Sequence, residues 1–312
     1  KTGVKLKFIL NWRNTQIIKS LKLAGWSFVY AGISQLSFLV TVIISTSAAV
    51  NALKNGISYG VGFTPYSNAY LVLLVPHSII TVSVVTAMLP KLSNYVLDQK
   101  IGEFNNYIYK SIKLVGVFTI PASVTFFCFG PLIANSIFLG INTEDSNYIG
   151  LVLSAFSLGL IPVSINLVLL RGFNAFEDIK SQVFVNLIMN IISVILSIVV
   201  GMVVSPEWVT FGLAIIFAFH YYVGIVISAH MIKRHGVSLN IKGLLLFYIK
   251  ILSIALLAAT PAWFSRNYLP GGNIIDLCIV LSITSLLFVL LARILKVNEV
   301  AALIKAIVNK KE

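Results

Sequence analysis

The chain alternates long apolar runs with short polar breaks. The runs lie near 23–50, 63–89, 114–139, 148–170, 182–203, 208–230, 244–264 and 274–294. Each reaches or exceeds the roughly 20 residues that cross bilayer hydrocarbon as a helix. None shows the period-two alternation of a barrel strand, and all are far longer than one. Hydrocarbon offers no water to backbone N–H and C=O groups, so a helix is the form that satisfies them. The first two runs are long enough to tilt or to project beyond the hydrocarbon. The breaks are rich in turn formers: Asn51 to Gly62, Ile141 to Asn147, Ser205-Pro206-Glu207, and Ser265 to Asn273. The pattern predicts an all-α, polytopic membrane helix bundle of about eight transmembrane helices. With no long linker, residues 1–312 read as one membrane domain.

Composition agrees. Of 312 residues, 58% are hydrophobic and 11% charged, with a mean hydropathy of +0.95. Soluble domains carry about 25% charged residues. A soluble enzyme, a disordered tail and a secreted disulfide scaffold are excluded on that ground. The net charge of +13 raises the question of a nucleic-acid partner. The loops answer it. If the spans alternate in direction, all but two of the 23 Lys and Arg residues fall on the side of residue 1. Only Lys54 and Arg266 fall on the other, together with Glu144, Asp145, Glu207 and Asp276. The positive-inside rule makes the basic side cytoplasmic and places both termini there. The excess is therefore a topology signal, and no nucleic-acid partner is expected. Cys128 and Cys278 sit in apolar runs without metal-ligand spacing or a disulfide framework, so no metal or cofactor is expected. The chain opens at Lys1 rather than Met, as a fragment or a processed chain would.

Two segments of the basic side are amphipathic. Leu97, Ile101, Phe104, Ile108 and Ile112 recur at helical spacing, as do Val297, Val300, Ala301, Ile304, Ile307 and Val308, with Lys296, Lys305 and Lys310 as polar partners. Both are predicted to lie in the headgroup region, the second as a tail over 295–312. Either anchors the bundle or docks a partner.

Lys250 and Arg293 sit at the cytoplasmic ends of their spans and Asp276 at an outer end, and the span interiors hold no Asp, Glu, Lys or Arg, although coupled transport and catalysis usually leave such groups at mid-membrane. His77 is near the middle of the second span and directly follows Pro76. It reads two ways, as a cavity or headgroup contact beside a kink, or as one interhelical hydrogen bond. His220 lies in the sixth span. Uncharged polar residues are more plentiful. Gln35, with the cluster that includes Asn68, Tyr70 and Thr81, is the best candidate for the wall of a polar pathway. Asn186 and Asn190, four apart, share a helix face; they bond neighbouring helices or line a hydrated cavity. Pro76, Pro121 and Pro162 are expected to kink their helices. Glu177 and Asp178 form the one adjacent acidic pair of the basic side, and helix capping accounts for it more simply than catalysis does.

At this level of detail the chain resembles a known family. Pro76 to Ser93 reads PHSIITVSVVTAMLPKLS, ending in Leu89-Pro90-Lys91-Leu92-Ser93. It is similar to the signature of the MurJ/MviN family, where a proline, small residues and a Thr lead to LP-x-LS. Ile120-Pro121-Ala122-Ser123 with Pro131-Leu132-Ile133 looks like that family's ninth helix. Leu158-Gly159-Leu160-Ile161-Pro162, followed by Leu170-Arg171-Gly172-Phe173-Asn174-Ala175-Phe176-Glu177-Asp178, looks like its LGLP … R-x-F-Y-A-x-x-D segment. Gln35 matches a glutamine of the seventh helix. The resemblance covers most of 18–200.

It implies a fourteen-helix lipid II flippase of the multidrug/oligosaccharidyl-lipid/polysaccharide exporter superfamily, in the bacterial cytoplasmic membrane. Residues 18–230 would be its second six-helix lobe, 231–294 two additional helices, and 295–312 a cytoplasmic tail. The first lobe of the same protein would then be missing. Lipid II and membrane lipids are the implied partners, with cell-wall synthesis proteins as further ones. The resemblance also implies headgroup or gating roles for Arg171, Asp178 and Lys180. Two departures stand out. Where the family's eighth helix often reads A-D-R, this chain has Ala69, Tyr70 and Leu71, so the arginine thought to meet the pyrophosphate is absent; an aromatic in place of the Asp is similar to the actinobacterial branch. Where D-T-R-T-P usually follows the tenth helix, it has Asp178-Ile179-Lys180-Ser181-Gln182, with Lys180 in the arginine's place. An exporter of another polyprenyl-linked glycan or of a small molecule, and a membrane scaffold for cell-wall assembly, remain the alternative functions.

Overall fold

The structure, a computed structural model, describes residues 15–57, 59–265, 268 and 273–301. They fold as helices joined by short turns: α1 (Thr15–Lys54), α2 (Phe63–Pro76), α3 (Ser83–Leu97), α4 (Ile101–Ile137), α5 (Thr143–Ala175), α6 (Ile179–Val203), α7 (Pro206–Met231), α8 (Ile241–Ser265) and α9 (Asn273–Ile294). Seven of them are long and apolar enough to cross a membrane by themselves. An eighth apolar stretch qualifies only as a pair of helices taken together. Its two parts, Phe63–Ile79 and Ser83–Leu97, meet at 46°. Many large apolar side chains face outward, among them Phe28, Leu36, Ile79, Met202, Val226 and Leu286. In water such a surface would aggregate; against lipid tails it is the ordinary outer face of a bundle.

The break follows from Pro76. A proline has no N–H to give the carbonyl one turn back. The chain responds with a π-helical turn over His77–Val82, a wider turn typical of such sites. The turn is tied to α5: Ser164 Oγ lies 3.0 Å from His77 Nδ1 and accepts from Thr81 Oγ1 at 3.1 Å. Thr81 and Ser164 are fully buried. Pro121 and Pro162 do not interrupt their helices. α5 runs as one helix through Pro162, and the one non-helical residue inside α4 is Phe129, two residues before Pro131 rather than at Pro121.

That irregularity sits where α4 crosses α5 most closely. A Cβ at Gly150 would lie 2.3 Å from Pro131 Cα, and one at Gly130 would lie 2.3 Å from the Gly150 carbonyl oxygen. Small residues let backbones touch, which is how packing holds helices together where no hydrophobic force acts between them. Ser123 Oγ donates to the Ser157 carbonyl (2.6 Å) across the same seam.

The first amphipathic segment departs from expectation. Ile101–Ile112 is the first part of α4 and runs on into the span. Phe104, Ile108 and Ile112 are buried within the protein, in a core with Leu169, Phe173 and Ile232. Of the C-terminal segment, Val297 and Val300 are buried against the bundle. Lys113 pairs with Glu299 and lies 4.4 Å above the Phe247 ring, and Lys250 Nζ donates to the Leu295 carbonyl at 2.8 Å. Ile304, Lys305, Ile307, Val308 and Lys310 lie outside the described residues, as does Arg266 on the other side.

Candidate functional site

The sequence of α6 places Gln182, Asn186, Asn190, Ser193 and Ser197 at spacings of three and four, one stripe along one helix face. This stripe turns inward. With Ser34, Gln35, Ser37 and Thr41 of α1, Tyr66 and Tyr70 of α2, Asn166 of α5, and His220 and Tyr221 of α7, it lines a cavity of about 370 Å³. No Lys, Arg, Asp or Glu is among the lining residues. The cavity is thus polar but uncharged.

Hydrogen bonds organise its wall around Asn186. Its Nδ2 donates to the Tyr30 carbonyl (2.9 Å) and to Ser34 Oγ (3.1 Å). Its Oδ1 accepts from Asn190 Nδ2 at 2.8 Å. α1 and α6 are therefore joined through one amide, and that amide also faces the cavity. Gln182 Nε2 donates to Asn174 Oδ1 (2.6 Å), fixing the end of α5 against α6. An aromatic cluster closes the other side: Tyr70 packs edge-on against Phe217 at 5.6 Å, and Phe156 meets both Tyr66 and Phe217. Around Gly224, Asn166 Nδ2 and Met189 Sδ crowd so closely that a Cβ would touch both.

The structure brings Gln35, Tyr70 and Asn186 into this cavity and separates the other predicted residues from it. His77 and Thr81 point at Ser164 and secure the π turn. Asn68 lines a second, apolar recess of about 440 Å³ between α2, α4 and α9, with Leu71, Val75, Phe126, Ile133 and Leu277. The helix turns these side chains from one face to another over a few residues, and the π turn shifts the phase again. Residues that reasoning from sequence passed over are Tyr66, Asn166, Gln182 and Ser197. The α6 stripe was the available signal, since its spacing is visible without a structure.

Arg171, Asp178 and Lys180 gather at the basic end instead. Asp178 caps α6, accepting from Ser181 N (3.1 Å) and Ser181 Oγ (2.6 Å), and its Oδ2 lies 2.8 Å from His235 Nε2. Burial pushes the Asp178 carboxyl up, but the hydrogen bonds from Ser181 and His235 outweigh it and hold the group below the usual carboxylate range. His235 stacks on Phe176 at 4.3 Å and 12°, and Phe176 packs on Phe104 at 4.9 Å. The ends of α5 and α7 and the starts of α4 and α6 are thereby locked together. Arg171 Nε is buried without a hydrogen-bond partner. Lys180 stands on the opposite face of α6 from the polar stripe, its Nζ 5.9 Å from the centre of the Trp26 ring.

A polar cavity among apolar, span-length helices, flanked by a bent helix pair, defines a multi-pass membrane helix bundle. The comparisons give that class a family. The profile described as "MurJ: Lipid II flippase MurJ" matches residues 1–301. The chain belongs to the MurJ lipid II flippase family. A curated relative, "Probable lipid II flippase MurJ" of Buchnera aphidicola subsp. Baizongia pistaciae (strain Bp), is 23% identical over 181 residues, 57% of this chain and 33% of the relative. The solved structure titled "Lipid II flippase MurJ, inward closed conformation" superposes with a TM-score of 0.68 at 21% identity, over 93% of this chain and 56% of that one. The chain thus spans a third of the curated relative and just over half of the solved one. The structural likeness speaks to the fold.

Proposed function

We propose that this chain forms the second lobe and two additional helices of a lipid II flippase, acting in the bacterial cytoplasmic membrane with its basic face inside. The observation that carries the reading is the polar, uncharged cavity among α1, α2, α5, α6 and α7, in a chain of this family. An amphiphile with a glycan–pyrophosphate head needs a polar passage through hydrocarbon and an apolar surface for its tail. Gln35, Tyr70 and Asn186 serve the first. Binding the pyrophosphate itself calls for cations, and the cavity wall has none. That task falls to the lobe that the solved relative has and this chain does not cover. Rocking of the two lobes would then expose the head to each side in turn. Arg171 and the Asp178–His235 pair act at the inner gate, where four helix ends meet.

The test is translocation of lipid II in proteoliposomes holding the protein together with the missing lobe. Leaflet-selective enzymatic labelling of the head is the readout. Transport should need both parts and should fall at least about 10-fold in Gln35→Ala with Tyr70→Ala, the loss of roughly 1.4 kcal/mol of head binding in transit. Transport by this chain alone, or full transport by the double variant, would overturn the assignment. Movement of other polyprenyl-linked glycans but not lipid II would replace the substrate.

A further inference from the structure

A recess of about 510 Å³ opens on the outside of the bundle at the basic end, lined by Trp26, Lys180, Ser181, Val183, Phe184, Leu187, Met231 and Arg234. It is on the reverse of the wall that holds the polar chamber. The sequence of α6 builds it: Lys180, Val183, Phe184 and Leu187 are three and four apart and share one face. That face runs from a cation at the helix start to apolar side chains a turn or two deeper. Phe184 and Leu187 remain half-exposed, at 52% and 39%, while Val183 and Met231 form the buried floor. Arg234 arrives from the single 3-10 turn that ends α7. Trp26 arrives from α1.

The charges of this recess are not neutralised within the described residues. Among the described residues, neither Lys180 nor Arg234 has a carboxylate within 4.0 Å, and no acid lines the recess. Of the two acids near Lys180 in sequence, Asp178 is already held by Ser181 and His235, and Glu177 is not among the residues that line the recess. Two exposed cations above an apolar slot, with an indole at their level, have one obvious complement. Arg and Lys bind a phosphate oxygen. Trp prefers the level of the headgroup and ester region. Val183, Phe184 and Leu187 continue inward as a chain of methyl and ring surface. We propose that this recess is a binding site for an anionic phospholipid of the basic-side leaflet. Its phosphate sits between Lys180 and Arg234, and one acyl chain lies along Phe184 and Leu187. Bound there, the lipid bridges α1, α6 and α7, the helices that wall the chamber. Because it faces outward, the site is independent of the transport reading above.

The experiment uses the protein in nanodiscs of phosphatidylcholine with a small fraction of brominated lipid. Bromine quenches a nearby indole, and the difference between wild type and Trp26→Phe isolates the Trp26 signal. Brominated phosphatidylglycerol should quench Trp26 at concentrations at least about 10-fold lower than brominated phosphatidylcholine, as two cations near a phosphate imply. Lys180→Gln with Arg234→Gln should abolish that preference, whereas Lys110→Gln with Lys242→Gln, equal charge removed elsewhere on the same side, should leave it. Equal quenching by the two lipids, or equal loss in both double variants, would overturn the proposal. Added lipid II separates the two sources of a phosphate head. Quenching by brominated phosphatidylglycerol that persists supports a structural lipid, and its displacement would make the recess a substrate site and refute the proposal.

Discussion

Replacing Gly150 with alanine adds a single methyl group where α5 meets α4. The added Cβ would lie 2.3 Å from Pro131 Cα and 2.5 Å from Pro131 N. Non-bonded carbons rest at about 3.5–4.0 Å, so the contact must open by more than ~1 Å. Both sides of it are backbone, and no side chain can rotate away. The helices must part along the seam that buries Ile120, Val124, Ile133, Leu153 and Phe156, and a gap of 0.5–1 Å forfeits roughly a quarter to a half of each dispersion contact. Overpacking of this kind costs about 1–3 kcal/mol, and an unyielding backbone contact falls at the upper end. The better helix propensity of alanine returns about 1 kcal/mol, leaving a net loss of ~2 kcal/mol. Gly102→Ala is the internal control, because nothing lies within 4 Å of its would-be Cβ; it should keep only the propensity gain. Gly224→Ala is the intermediate case, since its Cβ would meet the movable ends of Asn166 and Met189. Heating detergent-solubilised protein and scoring the surviving monodisperse peak by size-exclusion chromatography ranks the three. Gly150→Ala should melt lowest, Gly224→Ala next and Gly102→Ala at or above wild type. If Gly150→Ala melts with Gly102→Ala, the backbone contact between α4 and α5 does not exist as described.

Two further outcomes are expected. Asn186→Ala removes the amide that joins α1 to α6 and leaves the Tyr30 carbonyl and Ser34 without it, so the same heating assay should show a loss of about 1–2 kcal/mol; an Asn186→Ala change no greater than that of Ser27→Ala, an exposed site, would contradict the bridging role. Asp178→Ala should cost about 1 kcal/mol for the lost cap. The folded carboxyl titrates lower than the unfolded one, so its contribution is fully present above about pH 4 and is lost as pH falls through the folded value. The melting difference between wild type and Asp178→Ala should therefore persist at pH 5 and close on further acidification, and a difference that instead grew below pH 4 would refute the sign.

Span number and position were legible in the sequence because hydrocarbon imposes one requirement on every spanning segment. The site was legible only in part. Asn186 and Asn190 announced a polar face on α6, and the same spacing extends to Gln182, Ser193 and Ser197. His77 could not be assigned from its depth alone, because its partner, Ser164, is 87 residues away in the chain. Leu97 to Ile112 shows the limit of periodicity. An apolar stripe says that one face is covered, and Phe104 and Ile108 are covered by protein rather than headgroups. Prolines alone do not locate a break: the helices run on through Pro121 and Pro162, while the one non-helical residue inside α4 is Phe129, where Gly130 and Gly150 let two backbones touch.

The π turn over His77–Val82 has a consequence for register. An α-helix advances about 100° per residue, and a π turn accommodates extra chain within one revolution. The part before it directs Tyr66 and Tyr70 to the polar chamber, and the part after it directs Val85, Met88 and Leu92 into the core beside α4 and α5. Wound as unbroken α-helix instead, the same residues would rotate one half by roughly 100° against the other. Either the tyrosines would leave the chamber or the three apolar side chains would leave the core. The wider winding of that turn, more than the identity of any side chain within it, keeps both halves of the bent pair in phase with their surroundings.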